Sequence, residues 1–361
     1  MELSPTNVIT YLLSRGVLTP SELLAGDLVV HRASRRNRNL RVMRAGGRGF
    51  FVKQAQLDDA IPTLRREALC YRRAFHEQRL EPLRPLLPKF VDYDPTDNVL
   101  VLELLPASET LNQLFLREHS FTPALGELLA NALAIVHSDA GRRCRSETDD
   151  TTFPAQLPWL LPAVEAPGSL ASWLGPNAAM LLTGLTSDPA VVNAARRVTS
   201  TWRRDTLIHG DLKWDNCLVV HSSEGAPSLR IIDWELADIG DGRWDIGGVI
   251  GALVASWAGF TAWSTQAGGE RIAIDAVRPA IQSFWRRLLA SLAVPPEERE
   301  TLLDQAITCA GLRMIQTALE LTPHQPSIPH TAHVVAEQGR ALLRDPEKAR
   351  TLLGLREVPA P

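Results

Sequence analysis

The stretch "LIHGDLKWDNCLVV", residues 207–220, constrains this chain more than any other. His209, Asp211, Lys213, Asp215 and Asn216 fall within eight residues, after an apolar pair and before a run of apolar and β-branched residues. Polar side chains that dense between two strand-like segments point to a loop held at the mouths of neighbouring strands. Seventeen positions beyond Asn216, "RIIDW" sets Asp233 at the end of a further strand-forming run. The plain alternative is a turn whose Asp and Asn side chains bond their own backbone. The spacing argues against it: an H-x-D-x-x-x-x-N match arises by chance in roughly one chain in a hundred of this length. A strand-terminal Asp shortly afterwards brings the coincidence below about one in a thousand.

Those residue types suit phosphoryl transfer. That reaction asks a protein for cations on the phosphates, oxygen ligands for magnesium and a carboxylate at the attacking hydroxyl. Asp211 is the candidate carboxylate, placed to orient or deprotonate an acceptor. Asn216 and Asp233 are the candidate magnesium ligands, because magnesium prefers hard oxygens. Upstream, Lys53 lies in the strand pattern "FFVKQ" and Glu67 in the helical segment "LRREALCYR". A lysine there would reach the α- and β-phosphates of ATP while the glutamate holds it by an ion pair. A strand lysine and a helix glutamate are usually solvated, so their order ahead of the loop is what gives the pair weight. "LVLELLP" would end a strand and become a hinge, with backbone groups near Glu103, Leu104 and Leu105 bonding an adenine. A plain buried strand fits those residues equally well.

The rest of the chain supplies a frame for such a cleft. "LSPTNVITYLLSRG" and "TPSELLAG" read as short helices. "DLVVHRAS", "NLRVMRA" and "GFFVKQ" then read as a three-stranded meander turning at Gly46 and Gly47. Residues 60–78 show helical spacing, and "KFVDY" and "NVLVLELL" add two strands. Beyond Pro106 the pattern is helical, over 191–204, 244–260, 272–292, 296–321 and 332–343, around a small β-ribbon. Residues 141–177, rich in Pro, Ser, Thr and Trp, read as an insertion or lid. The expected fold class is α+β and bilobal: a small antiparallel β-rich N-lobe within 1–106 and a large helical C-lobe over 107–361.

Composition excludes some roles. A net charge of -3 argues against a nucleic-acid binder. One strip departs from the average: residues 27–53 carry eight Lys or Arg against one acid, a face turned to phosphates or simply to solvent. Cys70, Cys144, Cys217 and Cys309 are scattered, as free thiols in a reducing compartment are. Residues 1–30 hold no secretion signal, and no eighteen apolar residues run together, so the expectation is a cytoplasmic protein without a membrane partner. The tryptophans, Trp173, Trp257, Trp263 and Trp285 among them, are expected in the core.

"HGDLKWDN" resembles the catalytic loop of the aminoglycoside-phosphotransferase and choline-kinase-like family, relatives of the protein kinases. "IIDWELADIGDGRWDIGG" resembles its metal-binding segment, and the likeness runs over roughly residues 25–260. It implies a protein-kinase-like fold and ATP- and magnesium-dependent transfer to a hydroxyl. It also implies Asp211 as base, Asn216 and Asp233 on magnesium, Lys53 with Glu67 at the phosphates, and Asp245 as the anchor of the loop. Two departures stand out. "RASRRNRN" replaces a glycine-rich phosphate loop, so its backbone cannot approach phosphates as glycine does. By the resemblance, Ser34 and Asn37 would cap the phosphates instead, with Arg35 and Arg36 either helping or facing solvent. Lys213 stands where Ser/Thr protein kinases carry a lysine on the transferred phosphate; a surface lysine is the alternative.

The acceptor is less constrained. A polycationic aminoglycoside needs clustered carboxylates, whereas residues 241–361 hold 13 acids and 12 bases with no acidic run. The basic strands and the metal-binding segment also look similar to a subgroup acting on lanthipeptide or thioamide-type precursor peptides. That likeness implies phosphorylation of Ser or Thr in a precursor peptide, with a separate lyase partner eliminating the phosphate. A small-molecule alcohol is the alternative acceptor. A pseudokinase, a binding module without transfer, is the rival from another class, opposed by the intact Asp211, Asn216 and Asp233.

Overall fold

Alternating burial along the first strands sets the architecture that the cleft is built on. The computed structural model describes residues 1–33, 37–44, 49–142, 153–221 and 225–355. Strands β1 (Val29–Arg32), β2 (Arg38–Met43), β3 (Gly49–Gln54), β4 (Phe90–Asp94) and β5 (Val99–Glu103) form one antiparallel sheet in the order β1-β2-β3-β5-β4. Leu40, Val42, Val52, Val99 and Val101 pack to one side of it. Leu100 and Leu102 join the main core on the other, with Leu64, Ala68 and Tyr71 of helix α3 (Ile61–His76) once α1 (Val8–Ser14) and α2 (Pro20–Leu24) have preceded it in the chain. Side chains alternate along a strand, so Lys53, next to Val52, faces α3.

The outer face of this sheet is covered by the chain's own beginning, which the sequence pattern did not reveal. Val8, Tyr11 and Leu12 of α1 pack on it together with Leu3. Gln54 accepts from the Leu3 amide at 2.8 Å, and the Tyr11 hydroxyl donates to Asp94 at 3.1 Å. Part of the basic strip is spent here: Arg38 donates to the Leu3 carbonyl at 2.8 Å and pairs with Glu2, while Arg44 pairs with Glu22 at 2.8 Å. Those two arginines hold the N-terminal segment rather than a phosphate.

The C-terminal part is helical, as expected, but it carries more β-structure than one ribbon. Thr206–Ile208 pairs with Asp238–Gly240, and Ser108–Thr110, Cys217–Val220 and Ser228–Ile231 form a second, three-stranded sheet. A three-residue strand leaves too little alternation to read from sequence. The helix Gly242–Gln266 is long and apolar enough to cross a membrane by length and composition, yet 89% of its apolar window is buried inside this fold. It is a core helix. Gly247 lies against the helix Pro296–Glu320 so closely that a Cβ there would meet Cys309 Cβ at 2.4 Å. The fold is therefore α+β, an antiparallel sheet followed by a helical part.

Within the insertion, the described residues form a helix at Leu160–Glu165, a 3-10 turn at Pro167–Ser172 and a further helix at Pro176–Thr186. Trp285 is buried and Trp257 half-buried, but Trp173 and Trp263 are 54% and 58% exposed, against the expectation of a core role. Each packs against another ring, Trp173 on Trp159 and Trp263 on Phe260, and leaves the rest of its surface open.

Candidate active site

The loop carrying Asp211 is anchored before it turns. Gly210 has φ +79°, and a Cβ there would stand 2.5 Å from the Leu236 carbonyl oxygen, so only glycine fits. Asp245, fully buried at the start of the Gly242–Gln266 helix, accepts from the amides of His209 at 2.6 Å and Gly210 at 3.0 Å. That is the anchoring geometry expected of Asp245. Trp244 Nε1 donates to the Gly210 carbonyl at 3.0 Å. His209 Nδ1 accepts from the Asp211 amide at 3.2 Å, which leaves Nε2 to donate to the Ile232 carbonyl at 2.9 Å. Burial lowers the pKa of His209 further, so the ring is a neutral brace between the loop and the strand leading to Asp233.

Asp211 is buried and fully engaged. Lys213 Nζ lies 2.7 Å from its Oδ2, and Asn216 Nδ2 donates to the same oxygen at 3.2 Å and to the Asp211 carbonyl at 2.8 Å. Arg313 Nη2 donates to Oδ1 at 2.8 Å, with Gln316 Nε2 at 3.4 Å from it. Burial would raise the pKa of this carboxylate, but Lys213 and Arg313 outweigh that and hold it well below the usual range. Lys213 also pairs with Glu320 at 2.7 Å, so it is not a surface lysine.

Lys53 occupies a matching position on the other side of the cleft. Its Nζ lies 2.6 Å from Glu67 Oε2 and 2.5 Å from Asp233 Oδ1. Burial favours its neutral form, but Asp233 and Glu67 override that and keep it charged. Glu67 is pushed up to about 8 by burial, with Asp233 adding to the push against the pull of Lys53. Asp233 sits in the left-handed region at φ 68° and ψ 56°, which Asp tolerates better than most residues and which turns its side chain back toward Lys53. Such strain is characteristic of functional positions.

The remaining candidates are less tightly placed. Asn37 is buried just before β2, its Oδ1 without a hydrogen-bond partner among the described residues. Ser34, Arg35 and Arg36, with the turn at Gly46 and Gly47, lie outside the described residues. At the hinge, the Glu103 amide donates to Lys89 and the Leu104 amide to Gly49, at 2.9 and 3.0 Å. Leu104 is thereby removed as an adenine donor, whereas the Leu105 amide has no partner among the described residues. The Glu103 side chain accepts from the Lys89 amide at 2.9 Å, so its role there is to tie strand ends together.

Sequence reasoning missed Arg313, Gln316 and Glu320. They lie on one face of the Pro296–Glu320 helix, and all three converge on the catalytic loop. The available signal was a polar line, R-x-x-Q-x-x-x-E, inside the apolar stretch "CAGLRMIQTALEL".

The donors fit magnesium held with a phosphate better than magnesium held alone. Asn216 spends its Nδ2 on Asp211, which leaves its amide oxygen for a cation, and Asp233 presents a partly exposed carboxylate. Among the described residues no three His, Cys, Asp or Glu side chains gather as a metal site of their own. Magnesium typically takes one or two protein carboxylates and completes its shell with phosphate and water.

The sequence matches the phosphotransferase enzyme family over residues 27–292, and the chain belongs to that family. By class it is a phosphotransferase, a kinase. No curated protein matches it by sequence. Among solved structures it is similar to choline kinase LicA from Streptococcus pneumoniae, at 15% identity and TM-score 0.52, over 92% of this chain and 99% of that one. It is similar to a choline kinase from Cryptosporidium parvum at 12% identity and TM-score 0.60, over 97% of both. A third is the ternary complex of APH(2'')-IIa with streptomycin and ATP, at 13% identity and TM-score 0.52, over 89% of this chain and 93% of that one. At these identities the likeness is one of fold, and it supports the bilobal kinase-like reading of the architecture.

Proposed function

We propose that this chain transfers the γ-phosphoryl group of magnesium-ATP to an alcohol hydroxyl. One observation carries the reading: Lys53, Glu67 and Asp233 form one largely buried ion-pair group, and Asp211, Lys213 and Asn216 another, with Asp211, Asn216 and Asp233 flanking three successive short strands. Lys53 is the phosphate-binding cation and Glu67 its support. Asn216 and Asp233 are the magnesium ligands, and bound magnesium would neutralise charge on the phosphates. Asp211 orients the acceptor hydroxyl. With its pKa held so low it is a poor base in the ground state, so it accepts the proton late and works chiefly by position. Lys213, fixed between Asp211 and Glu320, faces the charge that builds on the transferred group. Leu105 is the remaining hinge donor for adenine, and Asn37, with Ser34, the candidate phosphate cap.

A small alcohol is the first reading of the acceptor, in keeping with the choline and aminoglycoside kinases that share the fold. A Ser or Thr of a precursor peptide, destined for elimination by a lyase partner, is the second. One feature favours it: a groove of about 410 Å³ lined by Trp173, Gly175, Asn177, Thr322, His324 and Gln325. Its lining includes Thr322, two residues past Glu320. The test is transfer of labelled γ-phosphate to choline, ethanolamine, aminoglycosides and Ser/Thr peptides, resolved by mass. Label on a peptide selects the second reading, label on a small alcohol the first. ATP bound without transfer to any of them, or to water, would return the pseudokinase to the front.

A further inference from the structure

We propose that Arg313 is a positioning residue that fixes the Asp211 carboxylate, and with it the catalytic loop, in the orientation the acceptor hydroxyl meets. This rests on the reading of Asp211 given above.

A single nitrogen of Arg313, Nη2, donates to Asp211 Oδ1 at 2.8 Å and to the Leu212 carbonyl at 3.1 Å. It therefore fixes a side chain and the backbone that follows it at once. The opposite carboxylate oxygen is held by Lys213 and Asn216, so neither rotation about the Asp211 side chain nor a shift of the loop is free. The guanidinium lies 5.5 Å from the centroid of the Trp244 ring, and Trp244 in turn donates to Gly210. Arg313, Trp244 and Asp245 thus grip Gly210, Asp211 and Leu212 from three directions.

The cost of this arrangement argues that it is not incidental. Arg313 is 2% exposed, and its Nε and Nη1 have no hydrogen-bond partner among the described residues. A buried cation with unmatched donors is destabilising, and an apolar side chain of similar volume would ordinarily serve the core better. The backbone that Arg313 holds is also given room. A Cβ on Gly248 would stand 2.9 Å from the Leu212 carbonyl oxygen and 3.7 Å from Arg313 Nε. Gly248 belongs to the "DIGG" segment that the sequence set apart for its likeness to a metal-binding motif, and its small size makes room for the Leu212 backbone that Arg313 binds. Gln316, one turn further along the helix, is a weaker second donor to the same oxygen. The family match stops at residue 292, ahead of the helix that delivers Arg313. Arg313 comes from outside the matched region, whereas Trp244 and Asp245 lie within it.

The experiment uses the full chain and magnesium-ATP, with water as the acceptor, and compares Arg313→Met, Arg313→Lys, Asp211→Asn and the Asp211→Asn/Arg313→Met double variant. Arg313→Met is expected to lower kcat roughly 100-fold, as a misplacement of about 1 Å does. The KM for ATP should stay within about twofold, because the loss is in the transition state alone. Arg313→Lys keeps the cation but one donor direction, and should recover about tenfold of the loss. The decisive result is the double variant, which should be no slower than Asp211→Asn alone. Multiplying losses, or an unchanged kcat with a raised KM, would overturn the proposal while leaving Asp211 as the orienting group. Full turnover by Asp211→Asn would strike the reading of Asp211 itself, and the role of Arg313 with it. Should Arg313→Met not fold, Arg313→Lys and Gln316→Leu carry the same cycle, with thermal unfolding as the control.

Discussion

Two lysines divide this cleft, and the clusters around them differ by one charge. Lys53 stands alone between the carboxylates of Glu67 and Asp233. Lys213 stands between Asp211 and Glu320, but there Arg313 adds a second cation on Asp211. With Glu67 ionised, the first cluster thus carries an uncompensated negative charge, and Glu235 adds to its field. The second is balanced. Glu67 is pushed up to about 8, first by burial and then by Asp233, whereas Lys213 and Arg313 hold Asp211 far below its ordinary value against its burial. A cluster short of one cation suits a site that receives a cation with its substrate. A balanced cluster suits a group that must stay ionised and still. The division follows from charge count and burial alone.

The comparison is tested hardest at Asp211. Asp211→Asn keeps the shape but removes the charge that Lys213 and Arg313 both hold, so turnover should fall at least about 1,000-fold with little change in ATP affinity. Comparable turnover would break the assignment of the balanced cluster to the acceptor. The lysines come next. Lys53→Met leaves the buried Glu67 and the partly exposed Asp233 without a cation, and kcat/KM for ATP should drop roughly 100-fold to 1,000-fold. Lys213→Met leaves Arg313 in place, and the loss should be nearer tenfold, in kcat rather than in ATP affinity. Equal losses from the two variants would show that the charge difference does not matter.

Asp233→Asn sharpens the same contrast by removing the excess negative charge. Calorimetry with and without magnesium separates its two effects. ATP affinity in the presence of magnesium should weaken about tenfold, and ATP affinity without magnesium should hold or improve as repulsion falls. An unchanged magnesium-dependent affinity would remove Asp233 from the metal site.

How much of this was legible in the sequence depended on how local the geometry is. Asp211, Lys213 and Asn216 lie on one loop, and their spacing fixes their mutual reach. Asp233 is tied to that loop through His209 and the Ile232 carbonyl, a contact spanning only 23 residues. Lys53 and Glu67 were readable from strand and helix order, 14 residues apart. Arg313 is 102 residues from Asp211, on a helix whose burial masks polar residues as part of an apolar pattern. Nothing local says which way its guanidinium turns. The N-terminal cover of the sheet was hidden for a like reason: Leu3 meets Gln54 only once the sheet exists. Trp173 and Trp263 failed the other way, since a propensity for burial says little about a ring that rests on another ring.

The smallest effect is on stability, and it reads the state of the Glu67 carboxyl without any turnover. Folding raises the pKa of Glu67 from 4.5 to about 8, chiefly by burial. Between those values the folded chain keeps a proton that the unfolded chain releases. Stability falls with pH wherever the folded state binds more protons, so this residue's contribution should decline from about pH 5 to about pH 8. A depressed carboxylate such as Asp211 gives the opposite sign: it stabilises above its unfolded value and stops doing so only in strong acid. Glu67→Gln cannot titrate. Melting temperatures of the wild type and Glu67→Gln, taken without nucleotide or magnesium, should therefore diverge across that window, with the wild type losing ground as pH rises. Parallel curves would mean that Lys53 offsets the burial of Glu67 and holds it ionised, as Lys213 and Arg313 hold Asp211.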